Sequence, residues 1–301
     1  MKTYRHFLFI LFALLLLRCE TRKPLPALVF QSDFGVKDNA VASMKGVAFG
    51  VSPNLKMFDL THEIPTFNIW EAAQRLVQTA EYWPSGTVFV SVVDPGVGTD
   101  RKSVVLKTKS GHYFVTPDNG TLTLVAEHLG IEAVREIDEA VNRRKDSEAS
   151  YTFHGRDVYA YTGARLAAGI ISFEQVGQTL PPEVVTIPHQ KPVFEAGILS
   201  GNIPILDVQY GNIWTNIDRE TFRMMGLAFG DKVDVRISKG DALVQDLIFP
   251  YAATFGDVDL GGPLLYLNSL NNVAFALNQG NFAAKYGIGS GPEWSVKIVK
   301  Q

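Results

Sequence analysis

The sequence predicts an α/β N-terminal domain with a mostly parallel sheet, followed by an all-β, barrel-like C-terminal domain. Three observations predict it. From Leu28 to about Ile187, short apolar runs alternate with stretches of helical period, a pattern that calls for parallel strands covered on both faces. Four prolines then fall between Pro181 and Pro192, which reads as a linker. Beyond it come short strand-like runs separated by turn residues, the text of a sandwich or barrel. The boundaries are a leader over 1–25, the first domain over 26–188 and the second over 193–301.

The elements follow in order. "ALVFQS" reads as a buried strand. "VKDNAVASMKGVAF" follows as a helix with Val36, Ala40, Met44 and Val47 on one face. "LKMFDL" is a second strand. Asn68 with Glu71 three residues on resembles a capping box opening a helix whose apolar stripe holds Leu76, Val77 and Ala80. "TVFVSVV" is a third strand, and "SVVLKT" and "HYFVT" form a pair. "NGTLTLVAEHLG" is a helix closed by Gly130, and "DVYAYTGARLAAG" is another that ends at Gly169. In the second domain "IPILDVQ", "NIWTNI", "KVDVRI", "LLYLN", "NVAFAL" and "WSVKIV" read as strands.

Composition narrows the function. The chain has 301 residues, 46% hydrophobic and 20% charged, with net charge −3 and no long basic run. A large core is available, and nucleic acid is not the expected partner. The basic start, the apolar run Phe7–Leu17 and Cys19 resemble an exported, lipid-anchored leader, although Arg18 stands where a small residue is usual. The expected location is therefore periplasmic or membrane-anchored. Cys19 is the only cysteine, so a disulfide, a thiolate metal cluster and a catalytic thiol are not expected in the folded part.

In open α/β sheets, ligands bind beyond the carboxyl ends of the strands. "SDFG" (32–35), "DPGVGTDR" (94–101), "PDNG" (117–120) and "FHGRD" (153–157) fall there. Each is also ordinary turn and capping vocabulary. A phosphate loop is not matched, because Asp94–Arg101 lacks the glycine–lysine–Ser/Thr ending. Asp33, Asp38, Asp94 and His154 offer metal-ligand types, but at no recognised spacing. What remains is a carboxylate, a guanidinium and an imidazole: Asp94, Arg101 and His154. They suit the holding and deprotonation of one water, or simply a structural ion pair beside a capping histidine.

Seven stretches in order carry a resemblance. "SDFGVKDNAVASMKG", "THEIPTFNIWEAA", "FVSVVDPGVGTDRKS", "PDNG", "TFHGRDVYA", "DVQYGNIWTNI" and "YLNSLNNVAFALNQGNFAAKYG" together resemble the S-adenosyl-L-methionine (SAM) hydroxide adenosyltransferase family, related to the fluorinase and chlorinase enzymes. The resemblance implies hydrolysis of SAM to adenosine and methionine without a metal or cofactor. It implies a homotrimer with active sites between subunits. It assigns Asp94, Arg101 and His154 to water. Asp33 is matched to the ribose hydroxyls, Phe67 to the ribose and sulfonium, Asp207 to the methionine ammonium and Ser269 to the methionine carboxylate. Tyr210, Asn212, Trp214, Phe255 and the Asn281 loop are matched to the remaining adenine and methionine contacts. Gly155 departs from the halogenase pattern, which has a serine there. Asn278 and Gln279 also depart from it. The alternatives are an exported SAM-like ligand-binding protein without turnover, a halogenase-like enzyme, and a metal-dependent hydrolase.

Overall fold

In the computed structural model, residues 25–301 are described. Cys19 and all but the last residue of the expected leader lie outside them. Among the described residues no helix is long and apolar enough to cross a membrane.

The first domain is one seven-stranded sheet between helices. Its strands are β1 (Ala27–Ser32), β2 (Lys56–Thr61), β3 (Val88–Val92), β4 (Ser103–Thr108), β5 (Tyr113–Pro117), β6 (Ile131–Glu136) and β7 (Thr179–Leu180), in the order β2-β1-β3-β5-β4-β6-β7. β1, β2, β3 and β5 run parallel, but β4, β6 and β7 join antiparallel. The sheet is therefore mixed rather than mostly parallel. The short return from β4 to β5 allows only a hairpin, since a parallel crossover needs a dozen or more residues. β6 was not expected from the sequence, because "IEAVRE" is half polar.

Period-two alternation then divides the strands between two layers. Leu28, Phe30, Val88, Val90 and Val92 face α1 (Ala40–Val51), a π-helical turn over Gly155–Ala160 and α4 (Tyr161–Ala167). Val29, Phe89, Val104 and Leu106 face α2 (Ile69–Ala80) and α3 (Thr123–Leu129). Gly163 permits the close approach of α4, since a Cβ there would lie 2.5 Å from Val90 Cγ2. α1 starts four residues later than the sequence pattern predicts. Asp38 Oδ1 accepts from the Ala40 backbone N–H at 2.9 Å. Val36 is left exposed outside the helix, and the buried face is Val41, Met44 and Ala48. The expected N-cap of α2 is present: Asn68 Oδ1 accepts from the Glu71 N–H at 2.9 Å.

The second domain is two antiparallel sheets. One holds β10 (Ile205–Asp207), β11 (Asn212–Asp218), β15 (Asn272–Leu277) and β14 (Pro263–Leu267). The other holds β13 (Ala242–Pro250), β12 (Lys232–Lys239), β16 (Trp294–Lys300), β9 (Ile198–Asn202) and β8 (Val193–Glu195). Neither sheet closes on itself, so the expected barrel is an open pair of sheets. Ile213, Ile217, Leu265 and Phe275 of the first pack with Leu199, Val235, Phe249 and Val296 of the second. Short helices α5 (Arg219–Arg223) and α6 (Phe282–Tyr286) cover the ends of this core. The two domains meet where Trp70 Nε1 donates to the Pro204 carbonyl at 3.0 Å.

Candidate active site

The turn after β3 brings Arg101 back onto Asp94. Gly98 takes φ +79°, and a Cβ on Gly96 would lie 3.4 Å from Arg101 Cγ. The glycines thus supply a left-handed step and room for the returning side chain. Arg101 Nε donates to Asp94 Oδ1 at 3.0 Å and Nη2 donates to Oδ2 at 2.6 Å, a bidentate pair. The side chains are only 11% and 6% exposed. Burial disfavours the Arg101 charge, but the bonds to Asp94 outweigh it and hold its pKa above the ordinary guanidinium value.

His154 enters from the π-helical turn. Its side chain is 5% exposed and makes no helix cap. Its Nδ1 is buried with no protein partner. Burial lowers its pKa below the ordinary imidazole value, and the Glu139 carboxylate opposes that shift. The imidazole is therefore neutral near pH 7. Asp33, Phe67, Asp94 and His154 line one cavity of about 240 Å³, together with Phe34, Val92, Val97, Phe153 and Gly155. Arg101 stands behind its wall, on Asp94. Phe67 adopts φ +66° and donates its backbone N–H to Asp33 Oδ2 at 2.8 Å.

Asp207, Tyr210, Asn212, Trp214, Phe255, Ser269 and Asn281 line a second cavity of about 780 Å³ on the C-terminal domain. Asn212 Nδ2 donates to Asp207 Oδ2 at 3.0 Å and so aims the carboxylate. Asn281 Oδ1 accepts from the Ala284 N–H at 2.8 Å as the cap of α6. Trp214 Nε1 is buried without an acceptor, while Tyr210 and Phe255 are exposed. The twelve residues singled out in the sequence therefore fall into two groups, and a single chain does not bring the groups into one cavity.

One of the sequence clusters, "PDNG", is structural, and so is the candidate metal ligand Asp38. Asn119 of "PDNG" donates to the Val93 carbonyl at 2.9 Å, and Asp118 accepts from the Val185 N–H at 2.9 Å. Asp38 accepts from the Ala40 N–H in the turn ahead of α1, as described above. Among the described residues no three His, Cys, Asp or Glu side chains form a group able to hold a metal ion.

Sequence reasoning missed Tyr159, Ser103 and Glu139. Tyr159 is fully buried beneath the site. Its hydroxyl lies 3.1 Å from Ser103 Oγ and 3.5 Å from Asp94 Oδ2, and burial raises its pKa. The π-turn explains the omission. Its wider winding brings Tyr159, five residues after His154, to a ring separation of 6.4 Å, where α-helical spacing points to residues 157 and 158.

Residues 28–177 match the SAM hydroxide adenosyltransferase N-terminal domain, and residues 201–295 match its C-terminal domain. The chain belongs to the SAM hydroxide adenosyltransferase family. Among its relatives, an (R)-S-adenosyl-L-methionine hydrolase of Methanocaldococcus jannaschii is 40% identical over 205 residues, 66% of this chain and 70% of that protein. A hydrolase of the same name from Salinispora tropica is 32% identical, covering 89% of this chain and 96% of that protein. A fluorinase of an Actinoplanes species is 31% identical, covering 88% and 95%. The crystal structure of an uncharacterized conserved protein from Thermotoga maritima superposes with a TM-score of 0.82 at 36% identity, covering 90% of this chain and 99% of that one.

Proposed function

We propose that this family member hydrolyses SAM to adenosine and L-methionine, in a site assembled from the N-terminal cavity of one subunit and the C-terminal cavity of another. The observation that carries the reading is the buried Asp94–Arg101 pair on the wall of a cavity that also presents Asp33, Phe67 and His154. The hydrolase relatives support the choice of substrate.

The chemistry suits such a site. The sulfonium is already a good leaving group. A water oxygen forms a bond to C5′ of the ribose, the C5′–S bond breaks, and its electron pair stays on sulfur. Methionine thus leaves as a neutral thioether and needs no acid. The protein's task is to align water opposite sulfur and to accept one proton. Asp94, held by two guanidinium N–H groups, keeps lone pairs for a water O–H. His154, neutral near pH 7, accepts the released proton. On the C-terminal side, Asp207 suits an ammonium and Ser269 a carboxylate.

Water rather than halide is favoured by Gly155. A Cβ there would lie 3.0 Å from Val92 Cγ1 and 3.3 Å from two Phe34 ring carbons. The serine of the halogenase pattern would need that wall to move.

The test is to incubate the purified protein with SAM, with and without chelator and halide salts, and to separate the nucleosides. Adenosine that is insensitive to chelator is expected. A 5′-halogenated nucleoside would redirect the reading to halide transfer. No nucleoside from an intact assembly would overturn it.

A further inference from the structure

A polar network runs behind the proposed water site and ends on Glu139. Arg101 Nη1 donates to Ser103 Oγ at 3.2 Å, and Ser103 Oγ donates to Glu139 Oε1 at 3.4 Å. Glu139 Oε2 accepts from Arg143 Nη1 at 2.7 Å. Glu139 Oε1 also stands 3.6 Å from His154 Nε2. Glu139 is therefore the carboxylate that joins both nearby guanidinium groups to the imidazole. Arg143 is pinned in turn: its side chain is 4% exposed, its Nη2 donates to the Ser150 carbonyl at 2.7 Å, and its guanidinium lies 4.6 Å from the Tyr151 ring centre. Arg143 is thus fixed on the buried side, while the Glu139 side chain it holds is one-third exposed.

The two nitrogens of His154 face unequal surroundings. Nε2 faces a carboxylate, and Nδ1 faces no protein acceptor. A buried orphan N–H is rarer, and costlier, than a buried orphan lone pair. The proton of the neutral ring therefore belongs on Nε2, toward Glu139, which leaves Nδ1 unprotonated. The charged groups around the ring are Glu139 and Asp94 on one side of the balance and Arg101 and Arg143 on the other, with Tyr151 and Tyr159 as ring neighbours. Two guanidinium groups oppose any imidazolium. Of the two carboxylates, Asp94 gives both oxygens to Arg101, whereas Glu139 gives Oε2 to Arg143 and turns Oε1 toward His154, so Glu139 is placed to compensate a second proton on the ring.

From this geometry we infer that Glu139 is a positioning residue for the hydrolysis: it sets the tautomer of His154 and balances the charge His154 acquires as it takes the proton from water. The inference rests on the proposed hydrolase reading, and Glu139 itself touches no substrate in it.

The test is Glu139→Gln, read two ways. The amide oxygen can still accept from Arg143, so the fold is expected to survive, which a thermal melt checks. Proton NMR of the His154 ring in the ligand-free protein is expected to show its pKa falling by about one unit, from loss of an opposite charge within 4 Å. Steady-state kinetics on SAM are expected to show kcat about tenfold lower, KM within about twofold, and the acid limb of the kcat profile moved to lower pH. Should E139Q not fold, E139D is used instead. It keeps the charge one methylene further away, so a smaller downward shift is expected and no shift counts against the inference. An unmoved His154 titration would overturn it. So would a moved titration with kcat and the acid limb unchanged. If the unmutated protein forms no adenosine while the titration still moves, the pairing stands and the hydrolase reading fails.

Discussion

The backbone N–H of Phe67 donates to the carboxylate of Asp33 at 2.8 Å, and Phe67 makes that bond in a left-handed conformation, φ +66°. A bulky residue there costs on the order of 1 kcal/mol. The bond fixes one oxygen of Asp33 and turns the Phe67 ring out over the cavity. Phe67→Gly relieves the backbone and removes the ring. The melting temperature is expected to hold or rise, while KM for SAM rises about tenfold from the lost ring face. A melt and a kinetic series check the two halves separately: a lower melting temperature would show that the conformation is not strained, and an unchanged KM would show that the ring does not face the substrate.

Asp94 and Arg101 are buried as a pair, so breaking the pair has two consequences. Asp94→Ala is expected to lower kcat by about 10³-fold, with SAM affinity by calorimetry within a few-fold. It also leaves Arg101 unpaired at 11% exposure, and stability is expected to fall by roughly 1–3 kcal/mol in urea unfolding. Asp94→Asn, which keeps an acceptor for Arg101, is expected to lose turnover with a smaller loss of stability.

The lowered pKa of His154 gives a signed pH dependence. Between its folded pKa and the ordinary value of 6.5, the unfolded chain binds the extra proton. Stability attributable to neutral His154 is therefore complete above pH 6.5 and declines as pH falls through the folded pKa. His154→Gln is expected to flatten unfolding free energy against pH over that window. It is also expected to remove the acid limb of kcat/KM, which in the unmutated protein lies below pH 6.5. Acid limbs that match with and without the histidine would exclude it as the proton acceptor.

At Gly155, a Cβ meets Val92 and Phe34 at 3.0–3.3 Å. Gly155→Ala is expected to cost about 1–3 kcal/mol by overpacking, and to lower kcat by displacing His154 next to it. A paired V92A substitution is expected to recover part of the stability, which a double-mutant cycle reads.

The two cavities make a prediction about assembly. Asp94 belongs to one group of residues and Asp207 to the other. A preparation carrying Asp94→Ala and another carrying Asp207→Ala are each expected to be inactive. Subunits mixed by co-expression are expected to regain about a quarter of full activity, because in a closed ring that fraction of interfaces pairs two intact halves. No recovery would place each site within one chain.

The sequence by itself determined much of this protein. Strand–helix alternation, the proline-rich linker and the strand-rich second half are local patterns of hydrophobicity, and they are read without knowing what touches what. The Asp94–Arg101 turn was legible for the same reason: seven residues and two glycines confine the charges to one place. The cap at Asn68 is likewise local. Tertiary structure alone decided the rest. Whether β4 runs parallel or antiparallel, and whether the second domain closes, depends on pairing between distant strands, which single-strand patterns do not encode. Tyr159, Ser103 and Glu139 read as ordinary core and helix-cap residues in the text. They become a network only because a π-helical turn, the first residue of β4 and the turn after β6 deliver Tyr159, Ser103 and Glu139 to Asp94 and His154. The separation of the twelve candidate residues into two cavities was equally invisible, since a list of residues carries no distances. It took the packing of two domains to show that one chain holds them in two separate cavities.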